Sequence, residues 1–150
     1  MNRRIEQLNS LISGKIPVAA GMGIHILEFD GTSLSIALPL KPNANDKGTA
    51  FAGSIYSALV LSGWCLITAA LAEAGLNTEV VIAESDVKFK RPVSGDSVAT
   101  ATFDGPFSPD TLAREGRQTI RISARIMCDG KTAAEMTGTY VAKKKLTMDN

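Results

Sequence analysis

One histidine, two cysteines and a formal net charge of +1 are all that 150 residues offer to several common chemistries. A Ser-His-Asp triad, a Cys-His pair or a multi-histidine metal site would have to use His25, which lies in a strand-like run with no partner motif around it. Cys65 sits inside an apolar run and Cys128 at the end of an alternating segment. Neither has the short spacing of a metal knuckle or a redox pair, so both are expected as free, buried thiols. A Walker motif and a dinucleotide fingerprint are also missing, which leaves no cofactor and no metal to expect. The balanced charge argues against bulk binding to nucleic acid or to an anionic membrane. MNRRIEQLNSLISGKIP carries basic residues without a continuous apolar stretch behind them, so it does not read as a secretory signal, and the cytoplasm is the expected location.

The length suits a single domain over residues 1–150 with one core. Ile5, Leu8, Leu11 and Ile12 recur at helical spacing and predict a short amphipathic helix ending near Gly14 and Pro17. IHILEF (Ile24 to Phe29) and SLSIAL (Ser33 to Leu38) flank Asp30-Gly31, a favoured turn pair, and predict a hairpin. From Glu79 to Arg91, Val81, Ala83, Ser85, Val87 and Phe89 alternate with Ile82, Glu84, Asp86, Lys88 and Lys90, the pattern of a strand with one wet face over most of its length; Pro92 ends it. Ser97 to Phe103 is a shorter strand, and the Gly and Pro content of GPFSPDTLAREG (Gly105 to Gly116) marks a loop. Alternation from Thr119 to Ile126, Asp129-Gly130 and a return from Lys131 to Ala142 make a second hairpin, while Lys143 to Lys145 and the polar tail read as a solvated end.

Charge is absent from one more place. Between Gly48 and Ala72 no residue is charged at neutral pH, a run that meets the length of about twenty needed to span a bilayer. Ser54, Ser57, Ser62, Thr68 and several Ala and Gly residues dilute its hydrophobicity, and no basic cluster or aromatic belt brackets it. The expected structure is instead a helix over Ala52 to Ala74, stopped at Gly75 and buried on every side. A curled antiparallel sheet of about six strands would cover it, giving an α+β domain with two layers.

Ahead of that helix stands the polar junction PNANDKGTAFAGS. The first turn of a helix has backbone N–H groups without intrahelical partners, which can stabilise an anionic oxygen, and the small Ala52 and Gly53 would let a ligand approach them. The residues equally allow Asn43, Asn45 and Asp46 to be turn formers, with Thr49 or Ser54 capping the helix.

The spacing Asn45, Gly48 and Phe51-Ala52-Gly53 resembles the N-x-x-G-x-x-H-G-G signature of hotdog-fold acyl-thioester enzymes, and the order of elements is similar over nearly the whole chain. In that fold a long sheet wraps a helix and two subunits build paired active sites. The longer wording NANDKGTAFAGSIYSALVLSGW, with VIAESDVKFKRPVSGD following, resembles a narrower branch once labelled thioesterases that includes malonyl-acyl carrier protein decarboxylases. Two positions depart from the broad pattern. Phe51 stands at the signature histidine, and Val60 stands where many hotdog thioesterases carry an Asp or Glu. Gly53, Tyr56, Ser57, Val60 and Trp64 share one helical face by spacing, and none can serve as a carboxylate base.

The resemblance implies a malonyl thioester decarboxylase that supports initiation of fatty acid synthesis. Asn45 would be its main catalytic residue, the N–H groups of Ala52 and Gly53 would receive the enolate oxygen, and Phe51, Tyr56, Ser57 and Val60 would line the substrate site unless they are plain core. Malonyl-acyl carrier protein, or malonyl coenzyme A, is the implied substrate, and the implied assembly is a homodimer whose dimers can pair further. Lys41, Lys47, Lys88, Lys90 and Arg91 would form a basic rim for the acidic carrier protein, or else are scattered solubilising charge. The alternatives are an acyl-coenzyme A or acyl-carrier protein thioesterase and a non-catalytic protein that binds acyl thioesters.

Overall fold

From Ala52 onward the uncharged run is helical without a break because nothing there interrupts the backbone pattern: it contains no proline, and Gly53 and Gly63 pack closely against aromatic side chains. In the computed structural model, which describes residues 3–145, this helix is α3 (Ala52–Glu73). It follows α1 (Arg3–Lys15), α2 (Pro17–Gly21), β1 (His25–Phe29) and β2 (Ser33–Leu38); β3 (Thr78–Phe89), β4 (Ser97–Phe103), α4 (Pro109–Glu115), β5 (Arg117–Cys128) and β6 (Lys131–Lys144) come after it. Gly75, at φ +79°, closes α3. Its N–H donates to Ala72 O at 3.0 Å and that of Leu76 to Leu71 O at 3.0 Å, the paired bonds of a left-handed helix stop.

The six strands make one antiparallel sheet in the order β1-β2-β4-β5-β6-β3. Five of them, β2 to β6, pack against α3, so a helix long and apolar enough to cross a membrane is wrapped by sheet instead. Small side chains at Ala99, Ala101 and Ala134 bring the strands close to Leu59, Leu66, Ile67 and Leu71 of the helix. Tyr140 of β6 is fully buried, and its hydroxyl donates to Val60 O at 2.6 Å, reaching over Gly63. At the other end of the sheet α1 buries Leu8 and Ile12. Asn9 accepts from Ile26 N at 2.7 Å and donates to Ile26 O at 3.4 Å, so a side-chain amide blunts the β1 edge.

Several expectations need correcting. The chain after the first helix makes a further short helix, α2, before the first strand. GPFSPDTLAREG contains α4: Ser108 Oγ accepts from Thr111 N, Pro109 opens the helix and Gly116, at φ +77°, ends it. In β3 a bulge between Ile82 and Glu84 inserts Ala83 and flips the alternation, so Val80 and Ile82 turn inward before it and Val87 after it. Val81 is consequently 57% exposed, and the strand, at the sheet edge, is wet on both faces rather than one. Neither Thr49 nor Ser54 caps α3; Phe51 holds that position without a side-chain bond. The helix is also not covered all round, since Tyr56, Ser57, Val60, Leu61 and Trp64 keep partial exposure. The polar tail from residue 146 lies outside the described residues.

Two measurements check this packing. A Cβ at position 63 would overlap the Tyr140 hydroxyl and ring, so Gly63→Ala should cost about 1–3 kcal/mol in urea unfolding, the usual penalty of overpacking. The Asp30 carboxylate accepts from the Thr32 and Ser33 N–H groups, which lower its pKa from 3.8 to about 2. A carboxyl depressed on folding stabilises above its unfolded pKa and loses that contribution as pH falls through the folded value. Asp30→Ala should therefore lower Tm at neutral pH and flatten the acid decline between pH 3.8 and about 2.

Candidate active site

The junction before α3 is a tight loop organised by two asparagines. Asn45 N donates to Thr49 O at 2.7 Å, and Gly48, at φ +76°, turns the chain back so that Ala44 bridges Ala50. The Asn45 side chain fills the loop: Oδ1 accepts from Lys47 N at 2.8 Å and Thr49 N at 3.1 Å, and Nδ2 donates to Thr49 Oγ1 at 3.0 Å. Its remaining N–H makes only a long 3.4 Å bond to Ala50 O. Asn45 thus sits as a loop organiser with one donor weakly committed.

Asn43 holds the same loop from beneath, which its place among turn-forming residues did not foretell. It is 3% exposed, and Nδ2 donates to Met22 O at 2.9 Å and Pro39 O at 2.7 Å, tying the loop to the end of α2. Its backbone O accepts from Phe51 N at 2.7 Å and so sets where α3 begins. The Oδ1 atom is buried with no partner among the described residues. A sequence signal existed only in hindsight, in the NAN repeat of polar residues beside Pro42.

At the helix start Ser54 N and Ile55 N donate to Phe51 O, while the N–H groups of Ala52 and Gly53 meet no acceptor among the described residues. Those two donors carry the positive end of a 22-residue helix. Gly53 also makes room for a neighbour: a Cβ there would lie 2.5 Å from Cε2 of Phe51 and would displace that 57%-exposed side chain.

About one helical turn further on, the uncovered stripe of α3 becomes one wall of an apolar groove of 480 Å³. Tyr56, Ser57, Val60, Leu61 and Trp64 line it from the helix, Ile16 to Met22 from the α2 segment, and Val80 to Ile82 from β3. Three hydrogen bonds set its width: Trp64 Nε1 to Val80 O at 3.0 Å, Tyr140 OH to Val60 O at 2.6 Å, and Tyr56 OH with Ser85 Oγ at 2.7 Å. Burial pushes the Tyr140 phenol well above its ordinary pKa, so it stays a neutral donor. Ser57 Oγ donates to Gly53 O at 2.8 Å, which commits its proton to the helix backbone.

None of the described residues lining the groove is charged. Of the expected site residues, the structure brings Tyr56, Ser57 and Val60 into the groove and leaves Asn45, Phe51, Ala52 and Gly53 outside its lining, at the helix start. His25 is exposed with its ring against Gly23 O, and Cys65 is a buried thiol that desolvation keeps protonated. The five cations do not form a uniform rim. Lys47 pairs with Asp46 at 3.1 Å and Lys90 with Glu135 at 2.9 Å, Lys88 reaches the opposite face of the sheet, and Lys41 and Arg91 are exposed.

Residues 5–144 match the family model described as "Putative thioesterase (yiiD_Cterm)". A crystal structure from Shewanella oneidensis, described as a "putative thioesterase", is 28% identical, with a TM-score of 0.88 over 95% of this chain and 99% of that one. A protein of unknown function from Chlorobaculum tepidum is 29% identical, with a TM-score of 0.85 over 93% of this chain and 94% of that one. A thioesterase from Haemophilus influenzae shares the fold at 19% identity and a TM-score of 0.77, covering 100% of this chain and 97% of that one. The helix wrapped by a curved antiparallel sheet is therefore a hotdog fold, and the chain belongs to this thioesterase family.

Proposed function

We propose that the protein decarboxylates malonyl-acyl carrier protein, or malonyl coenzyme A, in the cytoplasm, giving an acetyl thioester and carbon dioxide that support initiation of fatty acid synthesis. The observation that carries this reading is an apolar groove with no carboxylate or histidine among the described residues of its lining, about one helical turn from the Ala52 and Gly53 N–H groups, which meet no acceptor among the described residues. Hydrolysis needs a group to attack or to activate water, whereas decarboxylation needs alignment and a place for developing negative charge. In the proposed step the bond between the α-carbon and the carboxylate breaks, its electron pair forms the thioester enolate, and carbon dioxide leaves. Solvent then returns a proton to the α-carbon. The Ala52 and Gly53 N–H groups receive the enolate oxygen, and the weakly committed Asn45 N–H turns from Ala50 O to the substrate. A carboxylate entering the uncharged groove loses hydration, which favours its departure as neutral carbon dioxide.

The second reading, hydrolysis of a longer acyl thioester, is favoured by one dimension. A groove of 480 Å³ falls in the range of about 300–1,000 Å³ typical of drug-sized ligands and exceeds what a malonyl group fills. The assembly proposed with either activity is a homodimer. Among the described residues β3 leaves one edge without a strand neighbour, and the exposed Tyr56, Val81 and Phe89 lie on or beside it, so edge-to-edge pairing of two copies would bury them and extend the groove. Lys41 and Arg91 remain the candidates for meeting an acidic carrier protein.

Product analysis by mass spectrometry separates the readings: malonyl-acyl carrier protein should yield an acetyl thioester, while free thiol from malonyl or long-chain acyl substrates would signal hydrolysis, and binding without either product a non-catalytic role. Losing one oxyanion donor costs about 2.7–4 kcal/mol, so Asn45→Ala should lower kcat on the order of a hundredfold or more. Near-normal decarboxylation by a folded Asn45→Ala protein would remove Asn45 from the mechanism.

A further inference from the structure

Among the described residues lining the groove, four side chains carry a polar hydrogen: Tyr56, Ser57, Trp64 and Tyr140. Three of those hydrogens are committed to backbone carbonyls, Ser57 to Gly53 O at 2.8 Å, Trp64 to Val80 O at 3.0 Å and Tyr140 to Val60 O at 2.6 Å. Tyr56 is different. Its hydroxyl and Ser85 Oγ lie 2.7 Å apart, and either can donate to the other. Two hydroxyls bring two protons and share one bond, so one proton has no acceptor among the described residues. Of the four side chains, only Tyr56 thus has a donor left for a ligand.

Ser85 owes its place to the bulge in β3. Ile82 stands opposite the buried Tyr140, on the face toward α3, and strict alternation would put Glu84 on that face next. The extra residue, Ala83, moves Glu84 opposite Thr139 and brings Ser85 opposite Gly138, where its hydroxyl reaches Tyr56. The register therefore sets a neutral hydroxyl where a carboxylate would otherwise stand. Tyr56 lies one turn beyond Ala52 and Gly53 on the same helical face, and helical side chains lean toward the N-terminus, so the phenol extends back toward that turn. We propose that the Tyr56–Ser85 pair is a subsite for an oxygen on C3 of the acyl group, which makes 3-carboxy and 3-oxo acyl thioesters the substrate class. Tyr56 is the binding residue and donates to the ligand. Ser85, behind it and outside the lining, is a positioning residue that donates to the Tyr56 oxygen. This rests on the reading that sets the thioester oxygen at the Ala52 and Gly53 N–H groups, since C3 is then two bonds from that carbonyl carbon. On a malonyl group the C3 oxygen belongs to the carboxylate that leaves. A neutral donor orients that carboxylate, whereas a cation in the same place would hold it as an anion.

Isothermal titration calorimetry of the full chain tests this with the malonyl, acetoacetyl and butyryl analogues of coenzyme A in which an amide replaces the thioester. The first two carry an oxygen on C3 and the third does not. Wild type should bind malonyl and acetoacetyl more tightly than butyryl. Tyr56→Phe, which keeps the ring, should lower the malonyl-to-butyryl affinity ratio about tenfold and the acetoacetyl-to-butyryl ratio about threefold, as expected for a hydrogen bond lost to a charged and to a neutral oxygen. Ser85→Ala should lower both ratios by less, and Ser85→Thr, which keeps the hydroxyl, should restore them. Turnover is not part of the readout, so these ratios stand or fall separately from the product analysis. Ratios unchanged by Tyr56→Phe or by Ser85→Ala, in proteins that circular dichroism shows to be folded, would overturn the proposal alone. So would equal losses for all three analogues, a result that sets the pair against the coenzyme A arm instead. A wild type that binds none of the three would overturn it together with the reading it rests on.

Discussion

A 22-residue helix with no charged side chain before Glu73 has to be taken out of water, and the rest of the molecule is arranged around that requirement. Each fully buried Leu or Ile along it contributes about 1.5–3 kcal/mol relative to exposure, but only if other apolar surface comes within contact distance. Five strands meet the helix, and alanines on their inner faces let the sheet approach closely enough to curve around it. Polarity is displaced outward to hydroxyl and charged rows on the far side of the same strands.

The sheet does not close completely, and the stripe it misses is where chemistry has room. Helix α3 consequently belongs to two environments, with Leu59 and Leu66 in the core while Val60 and Leu61 face the groove. The groove gains rigidity from hydrogen bonds that fix its wall residues: Trp64 to the β3 backbone, Tyr140 to the helix backbone and Tyr56 to the Ser85 hydroxyl. Asn43 extends that rigidity to the loop at the helix start, its buried side-chain amide holding α2 and the β2 exit while its backbone carbonyl holds the α3 entrance. A substitution in this region acts on stability and on the site together.

Much of this was legible where a local pattern carries the signal. Helix α3 declared itself by the absence of charge and by Gly75, and the hairpins by Asp30-Gly31 and Asp129-Gly130. The spacing of Tyr56, Ser57, Val60 and Trp64 placed them together because helical periodicity is short-range. What depended on long-range contact was not legible. The bulge at Ala83 is a register event between β3 and β6, the pairing of Lys90 with Glu135 depends on that register, and the burial of Asn43 depends on an acceptor at Met22. Helix α4 was a different kind of miss, since Ser108, Pro109 and Gly116 were all visible, but its seven residues are too few to show a period.

Trp64 makes the groove observable. It is the single tryptophan in the chain, its indole N–H is held by Val80 O, and its ring forms part of the wall. The ultraviolet emission of the intact protein therefore comes chiefly from one ring at one site. An acyl chain that displaces water there changes the polarity around that ring and no other indole, so the native chain carries its own spectroscopic reporter of occupancy without a label.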